Sequence, residues 1–269
     1  MKIISNKKKL IRLIQREDNL GLVPTMGAIH LGHISLIKKS KSLCKKTVVS
    51  IFVNKPQFNR KSDFQKYPRV LGRDIYLLKK QKIDYLFLPK FNEIYKNGPK
   101  KNINLNAFKK ELCGKYRPGH FEAIVDVVNR FINIIKPKKI FLGEKDMQQL
   151  ILIKDFIIRN NIKTNVVGCK TIREKNGIAY SSRNFLLNNN EKRIASKIYK
   201  LLSNNKKKLI KKKKLINIIK KQINKFGVKK IDYIKIININ KIIKPYKKIK
   251  KYRIFIAYYL RSTRLIDNI

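Results

Sequence analysis

Two histidines three residues apart stand out in the segment PTMGAIHLGH, residues 24–33. The chain contains only three histidines, so His30 and His33 form a concentrated pair. Gly27 and Gly32 lie beside them, and glycine lets a backbone approach a ligand closely. Neighbouring imidazoles can donate hydrogen bonds to phosphate oxygens and stabilise charge that develops at phosphorus. The segment therefore predicts a phosphate site, whereas two packed or capping histidines are the plainer alternative.

Three further polar segments could complete such a site. FVNKPQF (52–58) carries Asn54 and Gln57, whose neutral amides suit a hydroxyl or a carboxylate. GEKDMQQL (143–150) offers a lysine to counter phosphate charge and an aspartate to accept from ribose hydroxyls. REKNGIAYSSRN (173–184) brings Ser181, Ser182 and Arg183 together as donors for triphosphate oxygens. Taken singly, each segment could equally be an ordinary polar loop, helix start or linker.

Alternating strands and helices are predicted to position these segments. Short apolar runs predict strands at 20–25, 47–53, 82–89, 139–143 and 162–169, and helical spacing predicts helices at 2–16, 32–44, 69–81, 121–135 and 146–160. Such alternation is typical of a doubly wound α/β domain with a parallel sheet, in which ligands bind beyond the carboxyl ends of the strands. The histidine segment lies where the first of these strands turns into a helix, and a helix N-terminus supplies free N–H groups for an anion.

The pattern changes after about residue 170. Residues 188–226 form a lysine-dense stretch with helical spacing of Ile and Leu, and 228–239 and 252–260 read as strands. We therefore expect two domains, residues 1–171 as an α/β domain and residues 172–269 as a smaller α+β domain.

The net charge of +50 raises nucleic acid as a partner. Lysine accounts for 52 and arginine for 14 of the basic residues, and isoleucine and asparagine are also abundant. These are residues of A/T-rich codons, whereas dedicated nucleic-acid surfaces use more arginine. We favour compositional drift and expect no specific nucleic-acid partner. An RNA-binding protein remains the alternative, with YKKIKKY (246–252) its best stretch.

The cysteines and the N-terminal segment indicate the cellular compartment of the protein. Cys44, Cys113 and Cys169 are far apart and lack metal-binding spacing, so neither a disulfide framework nor a zinc site is expected. The first residues are too charged for a signal peptide, and no apolar run reaches the ~18 residues of a membrane helix. We therefore expect a cytoplasmic protein without a membrane partner.

The H-x-G-H segment resembles the signature of nucleotidyltransferase-like α/β enzymes, which activate a carboxylate or phosphate with ATP. Seven segments, in order, resemble the pantoate–β-alanine ligase family over nearly the whole chain. They are PTMGAIHLGH, FVN-x-x-QF, YPR (67–69), RPGHF (117–121), GEKD-x-QQL, SSRN and the terminal TRLIDNI. The resemblance implies a Rossmann-like N-terminal domain, a small C-terminal domain that closes over it, a homodimer, and Mg²⁺- and ATP-dependent condensation of (R)-pantoate with β-alanine.

The resemblance also assigns roles to individual residues. The ATP contacts it implies are Met26, Gly27, Ala28, Ile29, His30, Leu31, Gly32, His33, Gly143, Glu144, Lys145, Asp146, Ile172, Tyr180, Ser181, Ser182 and Arg183. His33 matches the proton donor of the family, His30 matches its partner on the phosphates, and Lys145 is the third catalytic candidate. Gln57 and Gln149 match the residues that contact pantoate, and Gln57 also matches a contact to β-alanine. Asn54 is the third candidate for substrate binding. Asp74 matches an acidic position near the magnesium.

Two departures from the family pattern and one alternative reaction stay open. Lys55-Pro56 stands in the turn before Gln57, and Tyr180 replaces a methionine of the family. Neither removes a catalytic group. A nucleotidyltransferase that acts on a phosphorylated substrate is the alternative within enzymes. Gln57 and Gln149, rather than a second cationic cluster, favour an uncharged hydroxyl-bearing acid.

Overall fold

Six parallel strands form the central sheet in the computed structural model, which describes residues 1–100 and 102–269. In chain order they are β1 (Lys2–Ile4), β2 (Leu20–Thr25), β3 (Lys46–Ile51), β4 (Tyr85–Phe87), β5 (Lys139–Gly143) and β6 (Asn165–Cys169). Their order across the sheet is β1-β4-β3-β2-β5-β6. The chain passes from β2 outward to β3 and β4 and then returns past β2 to β5. The boundary between β2 and β5 is therefore the switch point at which such sheets bind ligands.

Helices cover both faces of this sheet. In chain order the helices of the protein are α1 (Lys7–Ile14), α2 (Leu31–Leu43), α3 (Lys61–Lys66), α4 (Leu71–Lys80), α5 (Phe91–Ile94), α6 (Leu112–Tyr116), α7 (His120–Ile135), α8 (Met147–Arg159), α9 (Asn189–Lys211) and α10 (Leu215–Lys225). The last two, α9 and α10, pack on the second sheet described below. Leu22 and Val48 pack with α7 and α8 on one face, and the next residues along, Val23 and Val49, pack with α2 and α4 on the other. Strands buried on both faces explain the continuous apolar runs of the sequence.

The N-terminal segment differs from its prediction. A single helix over 2–16 was expected, but the structure has β1 followed by α1. Lys2–Ile4 pairs in parallel with Tyr85–Phe87, and only Ile4 of this edge strand is buried. Asn6 then caps α1 by accepting a hydrogen bond from the backbone N–H of Lys9 at 3.0 Å. The predicted helix was too long because the spacing of Ile4, Leu10, Leu13 and Ile14 fits one continuous helix, whereas the helix begins only after Asn6.

The C-terminal part contains a separate antiparallel sheet formed by β7 (Lys230–Asn238), β8 (Tyr252–Leu260) and β9 (Thr263–Asn268), in that order. The lysine-dense segment, for which helical spacing was noted, forms two helices, α9 and α10. A capping box of Asn188 and Glu191 begins α9. Strand β9 was not predicted. The fold class expected from the sequence, a parallel α/β sheet followed by a smaller α+β part, is confirmed.

Strand β9 connects the two sheets. The side-chain amide of Asn268 donates to the backbone oxygens of Glu144 and Lys145, each at 2.8 Å, just beyond β5. The guanidinium of Arg253 on β8 pairs with the carboxylate of Glu144. These contacts hold the C-terminal part over the carboxyl ends of the central strands, and the cavity described below lies between them. Within the described part of the chain, no helix is both long and apolar enough to cross a membrane.

Candidate active site

The turn between β2 and α2 has a strained backbone that a buried carboxylate holds. Gly27 and Ala28 have φ angles of 80° and 51°, a region that is unfavourable for alanine. The two carboxylate oxygens of Asp74 accept from the backbone N–H groups of Ala28 at 2.8 Å and Ile29 at 2.7 Å. Asp74 is only 1% exposed. Its carboxylate therefore fixes the shape of this turn, and it does not line the cavity where a magnesium ion would be needed.

The two histidines of the turn stack against each other. Their ring centroids are 3.9 Å apart with an angle of 20° between the planes. Burial, followed by the charges of neighbouring groups, lowers the pKa of His30 to about 2. Burial also lowers the pKa of His33 to about 4, although Asp146 acts in the opposite direction. In the free protein both rings are therefore neutral at pH 7, and they offer N–H hydrogen bonds rather than charge.

Both imidazoles have hydrogen-bonding capacity left over. The Nδ1 atoms of His30 and His33 are buried, and neither has a hydrogen-bond partner within residues 1–100 and 102–269. Buried polar atoms without a partner are rare in folded proteins, and ligand sites are one of their causes. The negative charge of a bound phosphate would also raise the pKa of a neighbouring imidazole, which is what a proton-donor role for His33 requires.

Lys145 lies opposite the histidine pair, in the short 3₁₀ turn Glu144–Asp146 that follows β5. Its charge contributes to the lowered pKa of both histidines, so it is close to them. Its ammonium lies 3.2 Å from the carboxylate of Asp146, and its side chain is 16% exposed. A partly desolvated ammonium interacts more strongly with phosphate than an exposed one does. Glu144 instead turns toward Arg253.

The SSRN loop lies beside the histidine turn. The hydroxyl of Ser182 is 3.4 Å and 3.3 Å from the backbone oxygens of Gly27 and Ala28, respectively. The guanidinium of Arg183 donates to both carboxylate oxygens of Asp63, at 3.3 Å and 3.0 Å. The loop therefore closes the site from the side of the C-terminal part and holds one guanidinium there.

The predicted amide side chains divide into two kinds. Asn54 is fully buried, donates to Gln57 Oε1 at 3.1 Å and accepts from the Tyr95 hydroxyl at 2.7 Å. It thus positions Gln57, and its own amide is already used. Gln57, Gln148 and Gln149 all line the cavity. Gln148 bonds backbone groups of the segment 108–113, so its amide is already used as well.

These side chains share one cavity of about 270 Å³. The predicted ATP contacts that line it are Met26, His30, Gly32, His33, Gly143, Lys145, Asp146, Ile172, Tyr180, Ser181, Ser182 and Arg183. Those that lie outside its wall are Gly27, Ala28, Ile29, Leu31 and Glu144. Ala28 and Ile29, in the turn before α2, are completely buried, and Leu31, the first residue of α2, is exposed.

The prediction from the sequence missed a basic group at the far end of the cavity. Arg117, His120 and Arg264 line it, although none was chosen as a site residue. Arg117 donates to His120 Nε2 at 2.7 Å and to the Gln57 backbone oxygen at 3.1 Å. The signal was present in the RPGHF segment, which contains the third histidine of the chain. Arg264 lies in the terminal TRLIDNI segment, which the family resemblance also included, but β9 was not predicted and the position of Arg264 beside the cavity was therefore missed.

The residues of the cavity do not build a metal cage. Within residues 1–100 and 102–269, no group of three or more His, Cys, Asp and Glu side chains could hold an ion. Among the lining carboxylates, Asp63 pairs with Arg183 and Asp267 pairs with Arg173. Asp146 is the most exposed of them, at 43%. The arrangement fits Mg²⁺ only as an ion whose ligands come mainly from nucleotide phosphates and water.

Comparisons with known proteins agree on one family. A family model described as pantoate-beta-alanine ligase matches residues 1–269. A pantothenate synthetase from Sulfurihydrogenibium sp. is 39% identical over 279 residues, which cover 100% of this chain and 99% of the relative. One from Clostridium botulinum is 41% identical over 274 residues, covering 98% of each chain.

Solved structures give the same result. The crystal structure of pantothenate synthetase from Thermus thermophilus superposes with a TM-score of 0.91 at 30% identity, covering 100% of this chain and 99% of the other. A pantoate-beta-alanine ligase from Francisella tularensis, complexed with beta-gamma ATP and beta-alanine, gives a TM-score of 0.85 at 37% identity. That alignment covers 100% of this chain and 97% of the other.

Proposed function

This chain belongs to the pantoate–β-alanine ligase family, and from that premise we propose how its residues carry out the reaction. It is an ATP-dependent ligase that condenses pantoate with β-alanine to give pantothenate, with release of AMP and pyrophosphate. The observation that carries the residue assignment is the stacked His30–His33 pair beside Lys145, in a cavity that also holds Gln57 and Gln149.

In the first step a pantoate carboxylate oxygen attacks the α-phosphorus of ATP. A new P–O bond forms, the bond from the α-phosphorus to the bridging oxygen breaks, and pyrophosphate leaves with the electron pair. We assign His30 and His33 as hydrogen-bond donors to the phosphates and Lys145 as the positive charge that stabilises the transition state. The N–H groups at the start of α2 act in the same direction.

In the second step the neutral amine of β-alanine attacks the acyl carbon of pantoyl adenylate. The new C–N bond replaces the C–O bond to AMP, AMP leaves as the anion, and the nitrogen gives one proton to the leaving phosphate or to water. A positioned nucleophile is all that this step requires of the protein, because the adenylate already supplies a good leaving group. We assign Gln57 and Gln149 to the pantoate hydroxyls, which keeps the acyl carbon in the same place through both steps.

The ribose and the triphosphate have separate sets of contacts in this proposal. Asp146, the most exposed of the lining carboxylates, accepts from ribose hydroxyls, and Ser182 and Arg183 contact the phosphates. Arg183 must then exchange its pairing with Asp63 for a phosphate. Mg²⁺ would be held mainly by the ATP phosphates and water and would neutralise part of the phosphate charge, so Asp146 stays free for the ribose.

We further propose that residues 172–269 act as a lid on residues 1–171, that the chain forms a homodimer and that it is cytoplasmic. The contacts of β8 and β9 with Glu144 and Lys145 support the lid. Cys44, Cys113 and Cys169 are free thiols, as in a reducing compartment. Light scattering coupled to size-exclusion chromatography measures the oligomeric state directly.

A product assay tests the proposed function. Purified protein with ATP, Mg²⁺, (R)-pantoate and β-alanine should give pantothenate and AMP in equal amounts by mass spectrometry. Omission of (R)-pantoate or of β-alanine should stop pantothenate formation. ADP and inorganic phosphate in place of AMP would mean that the carboxylate is activated as an acyl phosphate, and the adenylate assignment would be wrong.

A further inference from the structure

Three arginines lie near one another in the wall of the cavity, and two of them, Arg117 and Arg264, have no role in the proposed ATP site. Arg117, Arg264 and Arg183 each line the cavity, and Arg117 donates to the backbone oxygen of Gln57. Two carboxylates neutralise this group, because Asp232 pairs with Arg264 and Asp63 pairs with Arg183. In the free protein, one positive charge of the three is therefore left without a paired carboxylate.

Arg117 carries that unbalanced charge. Its two recorded partners are neutral, the Gln57 backbone oxygen and His120 Nε2. His120 donates from Nδ1 to the same Gln57 oxygen at 2.8 Å, which leaves Nε2 as the acceptor. Burial, followed by the charge of Arg183, lowers the pKa of Arg117 to about 10. Arg117 is partly buried, and within residues 1–100 and 102–269 no carboxylate bonds it, so its guanidinium can bind an anionic ligand.

Arg264 is held in place by protein contacts, and one of its guanidinium nitrogens remains available as a hydrogen-bond donor. Its Nε atom donates to Asp232 Oδ2 at 2.8 Å, and Asp232 has a side chain only 1% exposed. Its Nη1 atom is 3.6 Å from the sulfur of Cys113. Its Nη2 atom is buried and has no hydrogen-bond partner in the described ranges 1–100 and 102–269. The ion pair with Asp232 thus orients a donor that no group in the described part of the chain uses.

The reaction leaves one substrate charge without an assigned partner. The pantoate carboxylate loses its charge when the acyl adenylate forms, and the phosphates of ATP have His30, His33 and Lys145. The carboxylate of β-alanine keeps its charge from binding to product release, so it needs a cation that is not consumed. Guanidinium is well matched to carboxylate geometry.

We propose that Arg264 and Arg117 form the binding site for the carboxylate of β-alanine. This proposal rests on the proposed function and adds the group that selects the amine substrate. With the carboxylate held there, the amine of β-alanine extends along Gln57 toward the acyl adenylate. The positive cluster also disfavours the ammonium form, which has no lone pair for the attack.

The test compares two amine substrates in the wild type and in Arg264→Gln. 3-Aminopropanamide has the same chain as β-alanine with a neutral amide in place of the carboxylate. The wild type should use β-alanine roughly 100-fold better in kcat/KM, as expected for a buried charge pair. In Arg264→Gln this preference should shrink to within a few-fold, mainly through a higher KM for β-alanine. Pantoate-dependent ATP–pyrophosphate exchange, which needs no amine, should stay within about threefold of the wild type.

Two further variants guard against misfolding and non-specific charge effects. Arg264→Gln leaves Asp232 buried without a partner, so the double variant Asp232→Asn with Arg264→Gln, which removes both charges, should show the same loss of preference. Arg159→Gln also removes an arginine paired with one aspartate, Asp155, but on the outer surface of α8. It should keep the wild-type preference for β-alanine.

The outcomes separate this inference from the function on which it rests. A wild type without pantoate-dependent exchange would overturn the proposed function itself. Normal exchange with an unchanged preference for β-alanine in both Arg264 variants would overturn the carboxylate site alone. If both variants lose exchange as strongly as amide formation, Arg264 binds the phosphates of ATP or the pantoate carboxylate, and the inference is again wrong.

Discussion

The side-chain amide of Asn268, the penultimate residue, donates a hydrogen bond to the backbone oxygen of Lys145 at 2.8 Å. The same nitrogen donates to the backbone oxygen of Glu144, also at 2.8 Å. Asn268 is 2% exposed, and its Oδ1 atom accepts from Arg253 at 2.7 Å. One buried amide on β9 therefore holds the turn that carries the proposed catalytic lysine.

Asn268→Asp tests this connection. The substitution keeps the shape of the side chain but turns the donor into an acceptor that faces two carbonyl oxygens. We expect the free energy of unfolding to fall by about 1–3 kcal/mol, because buried polar groups lose their partners. Pantoate-dependent exchange should fall roughly 10-fold or more, since Lys145 is no longer held in place. Urea unfolding and exchange kinetics measure the two effects.

Asn160→Asp is the matched control, because Asn160 also donates to a backbone oxygen, that of Phe156, but at the exposed end of α8. It should change the free energy of unfolding by less than about 0.5 kcal/mol. If Asn268→Asp were as active as the control, the turn would not depend on β9.

Asp74→Asn distinguishes a structural carboxylate from a metal ligand. Asparagine can accept from only one of the N–H groups of Ala28 and Ile29, and its NH₂ group faces the other. We expect a loss of about 1–3 kcal/mol in the free energy of unfolding and a lower exchange rate. The rate defect should be the same at every Mg²⁺ concentration. A defect that disappears with added Mg²⁺ would identify Asp74 as a magnesium ligand after all.

Lys145→Ala separates the two half-reactions. Its charge acts while negative charge builds on the triphosphate, but in the second step the pyrophosphate has already left. The variant should nearly abolish formation of pantoyl adenylate, and it should still convert preformed pantoyl adenylate and β-alanine to pantothenate at a substantial fraction of the wild-type rate. Single-turnover kinetics measure each step, with circular dichroism to confirm folding.

Lys154→Ala, an exposed lysine on α8, is the control for removal of one positive charge and should leave both steps unchanged. Equal damage to both steps in a folded Lys145→Ala protein would mean that Lys145 orders the whole cavity. Its assignment to the first transition state would then be wrong.

His33→Ala should lower the exchange rate roughly 10²–10³-fold, the scale for losing one transition-state donor. ATP binding should weaken far less, because the N–H groups of the α2 N-terminus and Lys145 remain. Isothermal titration with a non-hydrolysable ATP analogue and exchange kinetics measure the two quantities. Near-normal exchange would leave His33 as a structural residue only.

The lowered pKa of His33 also predicts a pH dependence of stability. Its native pKa is about 4, whereas an unfolded histidine has a pKa of about 6.5. Between these values the unfolded chain binds more protons, so the free energy of unfolding falls as the pH falls from 6.5 toward 4. His33→Asn should make this decline shallower in urea unfolding at pH 7 and pH 5. An equally steep decline would mean that His33 is not the buried neutral ring described here.

The phosphate end of the cavity was predictable because its determinants are local. Two glycines, two histidines and a strand–helix boundary occur within ten residues, and the structure places His30 and His33 together there. The position of Lys145 could also be predicted from the sequence, because residues that follow neighbouring parallel strands meet at the same edge of the sheet.

The remaining features depend on contacts between distant segments. Strand β1 has three residues and pairs with Tyr85–Phe87, which no local pattern encodes. The turn-fixing role of Asp74 appears only when α4 packs beneath the β2–α2 turn, and the buried role of Asn54 only when Tyr95 approaches it. Arg264 reaches the cavity because the second sheet docks on the first, which spacing along the chain cannot reveal.

The central claim is that activation of pantoate precedes and is independent of amide formation. ATP–pyrophosphate exchange measured with radiolabelled pyrophosphate, ATP, Mg²⁺ and pantoate, in the absence of β-alanine, tests it most directly. Exchange should be rapid with pantoate alone and absent without pantoate, because pantoyl adenylate forms reversibly in the cavity. Exchange that strictly requires β-alanine would contradict the two-step account.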